Sequence, residues 1–97
     1  MTKIVIKEFE WHIHNISHIA LHNELPSEVE EVSRKEVIIL QSRNKRIVII
    51  GKTDINRALA IVFEEIKNNK ARTVTARDAS RKERKFYQEK IGGKKTL

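Results

Sequence analysis

Between Glu36 and Ile66 three apolar runs of β type follow one another, with connections too short to hold a crossover helix. Glu36 to Gln41 encloses VIIL, Arg46 to Gly51 encloses IVII, and Ala58 to Ile66 reads ALAIVFEEI. Ser42 to Lys45 and Lys52 to Arg57 separate them, and both connections suit hairpins. Asn68-Asn69 then turns the chain into Arg72 to Ala76, where the β-branched Thr73, Val74 and Thr75 suit a pleated surface. The expectation is a four-stranded antiparallel meander. Within it Leu59, Ile61 and Phe63 share one face of their strand and Ala58, Ala60 and Val62 the other, so that strand is predicted to be central.

Helical patterns flank the strands. Lys3 to Lys7 reads as a short initial strand, after which Phe9 and Trp11 put two large rings on one side of an extended segment and pin it to the core. His12 to Asn23 carries Ile13, Ile16, Ile19 and Ala20 on one helical face, with His14, His18 and His22 in a stripe beside it. Asn23 suits the left-handed stop of that helix, and Pro26 suits the first turn of the next, over Ser27 to Arg34. There Val29 and Val32 point inward, and Glu28, Glu30 and Glu31 form an acidic face turned to solvent. Near the C-terminus, Ser80 and Glu83 have capping-box spacing, the helix runs from Arg81 to Lys90, and Gly92-Gly93 ends it. The fold class is therefore α+β: the four-stranded antiparallel sheet, two N-terminal helices and a C-terminal helix. Residues 1–91 are expected to form one domain and residues 92–97 a flexible tail.

Charge narrows the function. The net charge is +7, but Met1 to Gln41 holds 4 Lys/Arg against 7 Asp/Glu, while Ser42 to Leu97 holds 16 against 6. Halves of −3 and +10 point to a polyanionic partner, nucleic acid first. A helix lying on anionic lipid needs a wider apolar face than Phe86, Tyr87 and Ile91 supply, and no apolar run approaches the ~18 residues of a membrane span. Absence of cysteine excludes disulfides, a thiolate nucleophile and Cys-containing zinc sites, and fits a reducing cytoplasm. The histidine stripe lacks the Glu that accompanies helical zinc pairs, so no metal is expected. Gly51-Lys52-Thr53 lacks the upstream glycine of a phosphate loop, and no GxSxG element occurs.

The positive charge is concentrated from Lys70 to Tyr87. On the last helix Arg81, Arg84 and Lys85 lie three or four residues apart on one face, with Arg77 just before the cap. Basic groups in a first turn oppose the helix dipole, and a bound anion relieves that. As such a face stands, it is either a solvated basic surface or a site for a phosphate.

Taken together, the N-terminal FEW, then Asn15, His18 and His22, and the C-terminal TARDASRKERKFY resemble the BrnT family of toxins. These are small ribonucleases of type II toxin-antitoxin modules with a RelE-like fold, and the resemblance covers roughly Phe9 to Tyr87. Its sharpest element is S/T-A-R-x-A-x-R/K-x-E-R-x-x-Y, met by Thr75, Ala76, Arg77, Ala79, Arg81, Glu83, Arg84 and Tyr87. The chain departs from the pattern at His12, where an Asp usually follows the Trp, at His14, near a usual Lys, and at Asn23, which replaces a glycine. The resemblance implies an endoribonuclease that blocks translation. It also implies a ribbon-helix-helix antitoxin bound in a hetero-oligomer, through which alone the complex meets promoter DNA.

RNA carries its own nucleophile, the 2′-OH, so a metal and a cofactor are both dispensable. Guanidinium forks match phosphate oxygens, which assigns Arg77 and Arg81 to the scissile phosphate, with Arg84 and Lys85 as further RNA contacts. His18 or His22 is the candidate for proton transfer. Tyr87 either donates a proton, stacks on a base or packs, and Trp11 either stacks on a base or packs. The alternative is a basic module that binds nucleic acid or a partner through the same helix and performs no chemistry.

Overall fold

Two of the chain reversals are set by paired residues in the left-handed conformation. Asn44 and Lys45 have φ of 52° and 66°, and Asn68 and Asn69 have φ of 55° and 63°, the geometry whose twist matches a two-residue hairpin. The computed structural model describes residues 6–91, apart from the side chains of Gln41, Ser42 and Lys67. In chain order the elements are β1 (Glu8–Glu10), α1 (Ile13–Ala20), α2 (Pro26–Ser33), β2 (Ile38–Arg43), β3 (Arg46–Lys52), β4 (Ala58–Lys67), β5 (Lys70–Asp78) and α3 (Arg81–Ile91). Asn23 closes α1 with φ of 62°, and Pro26 opens α2, as their positions predict.

The sheet corrects the expected meander. It has five strands in the order β1-β5-β4-β3-β2, and β1 runs parallel to β5 with Phe9 opposite Ala71. Strands β2 to β5 are the antiparallel meander, so the fold is α+β with a mixed sheet. A strand of three residues is too short to announce itself, and its pairing depends on a partner 62 positions away at Lys70. The initial strand expected at Lys3 to Lys7 falls mostly in residues 1–5, outside those described; Ile6 and Lys7 are not in a strand, although the Lys7 amide donates to the Asn69 carbonyl at 2.7 Å. The tail at 92–97 and the Gly92-Gly93 stop also lie outside the described residues.

As expected, β4 is the middle strand. Leu59, Ile61 and Phe63 point into the main core with Ile49 and Ala76 of the flanking strands, Ile19 of α1, and Val29 and Val32 of α2. Neighbouring residues alternate across the pleat, so Ile50 and Ala58 face the other way, where Ala79 and the Tyr87 ring of α3 cover them. Helices α1 and α2 thus lie on one face of the sheet and α3 on the other. Gly51 sets the approach of α2: a Cβ there would stand 2.6 Å from Val32 Cγ1 and 3.1 Å from Val37 Cγ1.

Phe9 and Trp11 pin the N-terminus as expected. Their rings stack at 6.3 Å, and Phe9 meets Phe63 at 5.8 Å. Asn15 is buried and ties α1 to β1, donating to the Glu10 carbonyl at 2.9 Å and accepting from the His12 amide at 2.8 Å. That second bond satisfies the backbone amide of His12, the N-cap residue of α1.

Candidate nucleic-acid interface

Two residues, Ala79 and Ser80, separate the end of β5 from the start of α3, and both are fastened. The Ala79 amide donates to the Ala58 carbonyl at 2.9 Å, and Ala79 itself is buried. Ser80 caps the helix reciprocally: the Glu83 amide donates to Ser80 Oγ at 3.1 Å and the Ser80 amide to Glu83 Oε1 at 2.8 Å. Arg77 is opposite Ala60 on the α3 side of the sheet. Its guanidinium donates from Nη1 to Glu83 Oε1 at 2.8 Å and from Nη2 to Oε2 at 2.9 Å, a two-pronged pair. The Arg77 bond and the cap together push the Glu83 carboxyl down to about 2, while Glu83 raises Arg77.

The other basic residues of α3 are more open. Arg84 is exposed and donates to the Ala79 carbonyl at 3.0 Å, while Arg81 and Lys85 are exposed and have no hydrogen bond or ion pair among the described residues. Tyr87 is half-buried against Ile50, Ala58 and Ala79, with Lys52 Nζ 5.6 Å from its ring centre. Burial, then the nearby Glu36, raises its phenol, which therefore gives up a proton less readily. Its packing role is filled.

The remaining candidates sit elsewhere. His18 and His22 are exposed on and just after α1, ring centres 6.1 Å apart, and α1 covers the face of the sheet opposite α3. No hydrogen bond among the described residues joins either histidine to the arginines. The two groups meet only indirectly at the end of the sheet. There Arg57 donates to the carbonyl of Asn23, next to His22, and to the carboxylate of Asp78, next to Arg77. Trp11 is half-buried, and its Nε1 donates to Glu30 Oε2 at 2.7 Å. A cleft of about 240 Å³ between Ile47, Phe63, Asn69 and Lys70 includes none of these residues.

One expectation is corrected here, and one feature has no counterpart in the sequence. The acidic face of α2 is not simply solvated, since Glu30 takes Trp11 and Arg34, and Glu28 takes Arg57 at 2.8 Å. Arg57 also gathers Glu24, Asp78 and the Asn23 carbonyl around one guanidinium. Nothing local marks Arg57 as the hub; the one hint is a Glu placed directly after a helix stop.

Among the described residues no three His, Asp or Glu side chains are grouped to hold a metal ion, and no helix is long and apolar enough to cross a membrane. No family model matches the chain, and neither the curated proteins nor the solved structures include a significant match to it.

Proposed function

We propose that the protein is a cytoplasmic, metal-independent endoribonuclease with a RelE-like fold, the toxin of a type II toxin-antitoxin module held in check by a ribbon-helix-helix antitoxin. The observation that carries this reading is the exposed Arg81, unpaired among the described residues, beside Arg77 and Arg84 at the β5–α3 junction. These are also the residues of the BrnT-like motif. Arg81 meets the phosphate directly, and Arg84 and Lys85 extend the contact along the backbone. Arg77 already holds a carboxylate in the two-pronged way in which guanidinium holds phosphate, and in the complex it exchanges Glu83 for a phosphate oxygen. The neighbouring 2′-OH then gives up its proton and attacks the bound phosphate, and the bond from phosphorus to the 5′-oxygen breaks, which leaves a 2′,3′-cyclic phosphate and a 5′-oxygen that takes up a proton; guanidinium meets the charge on the five-coordinate phosphorus. His18 or His22 is the candidate to move a proton, and the Asn23–Arg57–Asp78 bridge is the one link between the His22 end of α1 and Arg77 among the hydrogen bonds of the described residues.

The separation of the histidines from the arginines supports the second reading, a basic binding module without chemistry. Incubation of the purified protein with a labelled single-stranded RNA distinguishes the two. The toxin reading requires cleavage, products ending in a 2′,3′-cyclic phosphate, and inhibition by a co-expressed ribbon-helix-helix partner. Retarded but intact RNA leaves the binding module.

A further inference from the structure

Apart from the arginine helix, a notable enclosed polar group is the carboxyl of Glu24. It follows the left-handed Asn23 in the turn between α1 and α2, and its side chain is 0% exposed. Oε2 accepts from Arg57 Nη2 at 3.0 Å, whereas Oε1 is buried with no hydrogen-bond partner. Arg57 reaches in from the loop between β3 and β4, its backbone fixed to Thr53 by bonds of 2.9 and 3.1 Å. The charged groups facing Glu24 are Arg57 from that loop, Glu28 from α2 and Asp78 from the end of β5. With all three carboxyls ionised, one guanidinium is left to balance three negative charges, and the Glu24 side chain is closed off from bulk solvent. A protonated Glu24 removes the conflict, because its O–H has the Asp78 carboxylate as acceptor.

We propose that Glu24 is a proton-operated latch on the β5–α3 junction. With the proton bound, Arg57 serves Asp78 and Glu28 and holds the α1–α2 turn, the β3–β4 loop and the end of β5 together. With the proton lost, three carboxylates compete for Arg57. Asp78, whose side chain is 64% exposed, is the one that solvent can take, while Glu24 stays enclosed. Asp78 lies between Arg77 and the Ala79-Ser80 start of α3, so its release loosens the backbone from which Arg77 and Arg81 project. Burial pushes the Glu24 carboxyl up to about 7; Arg57 opposes this and Asp78 adds to it. The folded protein therefore holds this proton more tightly than the unfolded chain. The latch's contribution to stability is complete below the ordinary carboxylate range and is lost as pH rises through about 7.

The test follows the glutamate carboxyl carbons and the backbone amides of the full chain by NMR from about pH 4 to about pH 9, and needs no RNA. One carboxyl, assigned to Glu24 through its own side-chain and backbone resonances and checked by its loss in Glu24→Gln, is expected to titrate near neutrality, with the amides of Asp78, Ala79 and Ser80 moving at the same midpoint. Those amide movements should vanish in Glu24→Gln, since glutamine mimics the protonated acid, and Asp78→Asn should lower the Glu24 midpoint. An ordinary midpoint of about 4.3 for Glu24 overturns the proposal. So do junction amides that ignore its titration, amide movements that persist in Glu24→Gln, or a Glu24 midpoint unchanged by Asp78→Asn. Should Glu24→Gln fail to fold, the wild-type and Asp78→Asn titrations decide the matter.

Discussion

Arg77 and Glu83 are locked together, two guanidinium nitrogens against two carboxylate oxygens at 2.8 and 2.9 Å, across the junction of a strand and a helix. The same carboxylate takes the Ser80 amide, so one side chain fixes the strand end, the helix cap and an arginine. A cluster of guanidinium groups at a helix start gives a fold little by itself, because the charges repel one another and the dipole. Glu83 reverses that for Arg77.

Loss of Glu83 should therefore be felt in stability. Glu83→Gln removes the charge from both the cap and the ion pair and is expected to cost about 1–2 kcal/mol, a fall in Tm of roughly 4–8 °C per kcal/mol in a domain of this size. Arg77→Ala should cost less, about 1 kcal/mol at most, because that side chain is 45% exposed and the cap survives. The pH dependence has a definite sign. Glu83 is held down at about 2, so its stabilisation is present above the ordinary carboxylate range and drains away as pH falls toward 2. Thermal melts of wild type and Glu83→Gln should converge on acidification; parallel curves would remove Glu83 from this role.

Packing of α2 offers an independent check of the fold. The Cβ of an alanine at position 51 would sit 2.6 Å from Val32 Cγ1, closer than real carbons approach, and both residues are buried. Gly51→Ala is expected to destabilise the domain by about 1–3 kcal/mol, through strain rather than lost burial. Trimming the other side, Gly51→Ala with Val32→Ala, should relieve much of the clash while opening a void elsewhere along Val32. A wild-type denaturant midpoint for Gly51→Ala alone would mean that α2 does not press on β3 here.

Local signals made much of this legible. Asn23 and Asn68-Asn69 announced chain reversals, Ser80 and Glu83 announced a cap, and the two-sided apolar pattern of Leu59 to Phe63 announced a middle strand; each depends on residues within a few positions of one another. What stayed hidden depends on distance. Arg57 bonds residues 21, 29 and 33 positions away, and the parallel seat of β1 depends on residues beyond Asn69. Burial of the Glu24 carboxyl runs against its residue type, so composition argues for the surface. The arginine cluster itself was visible, but not that Arg77 has Glu83 while Arg81 has no partner among the described residues, since both read alike as basic residues near a helix start.

Metal independence is testable directly. On the proposed reading, arginine and histidine chemistry on a 2′-OH needs no Lewis acid. RNA cleavage by the purified protein is expected to be unchanged in EDTA. Activity abolished by EDTA and restored by zinc alone would direct attention back to His14, His18 and His22.

Arg81 gives the sharper test of the site. It is exposed and has no partner among the described residues, so Arg81→Ala should leave stability within about 0.5 kcal/mol of wild type. If it holds the scissile phosphate, the same change should lower RNA cleavage by on the order of 100-fold and relieve growth inhibition. Arg77→Ala cannot separate the two effects as cleanly, because it breaks the Glu83 pair as well. Lys94→Ala, among residues 92–97 that are not described, removes the same charge at a position outside the Thr75–Tyr87 motif and serves as the control. Equal loss in Arg81→Ala and Lys94→Ala would reduce the effect to net charge. Full activity in Arg81→Ala would move the phosphate to another part of the surface.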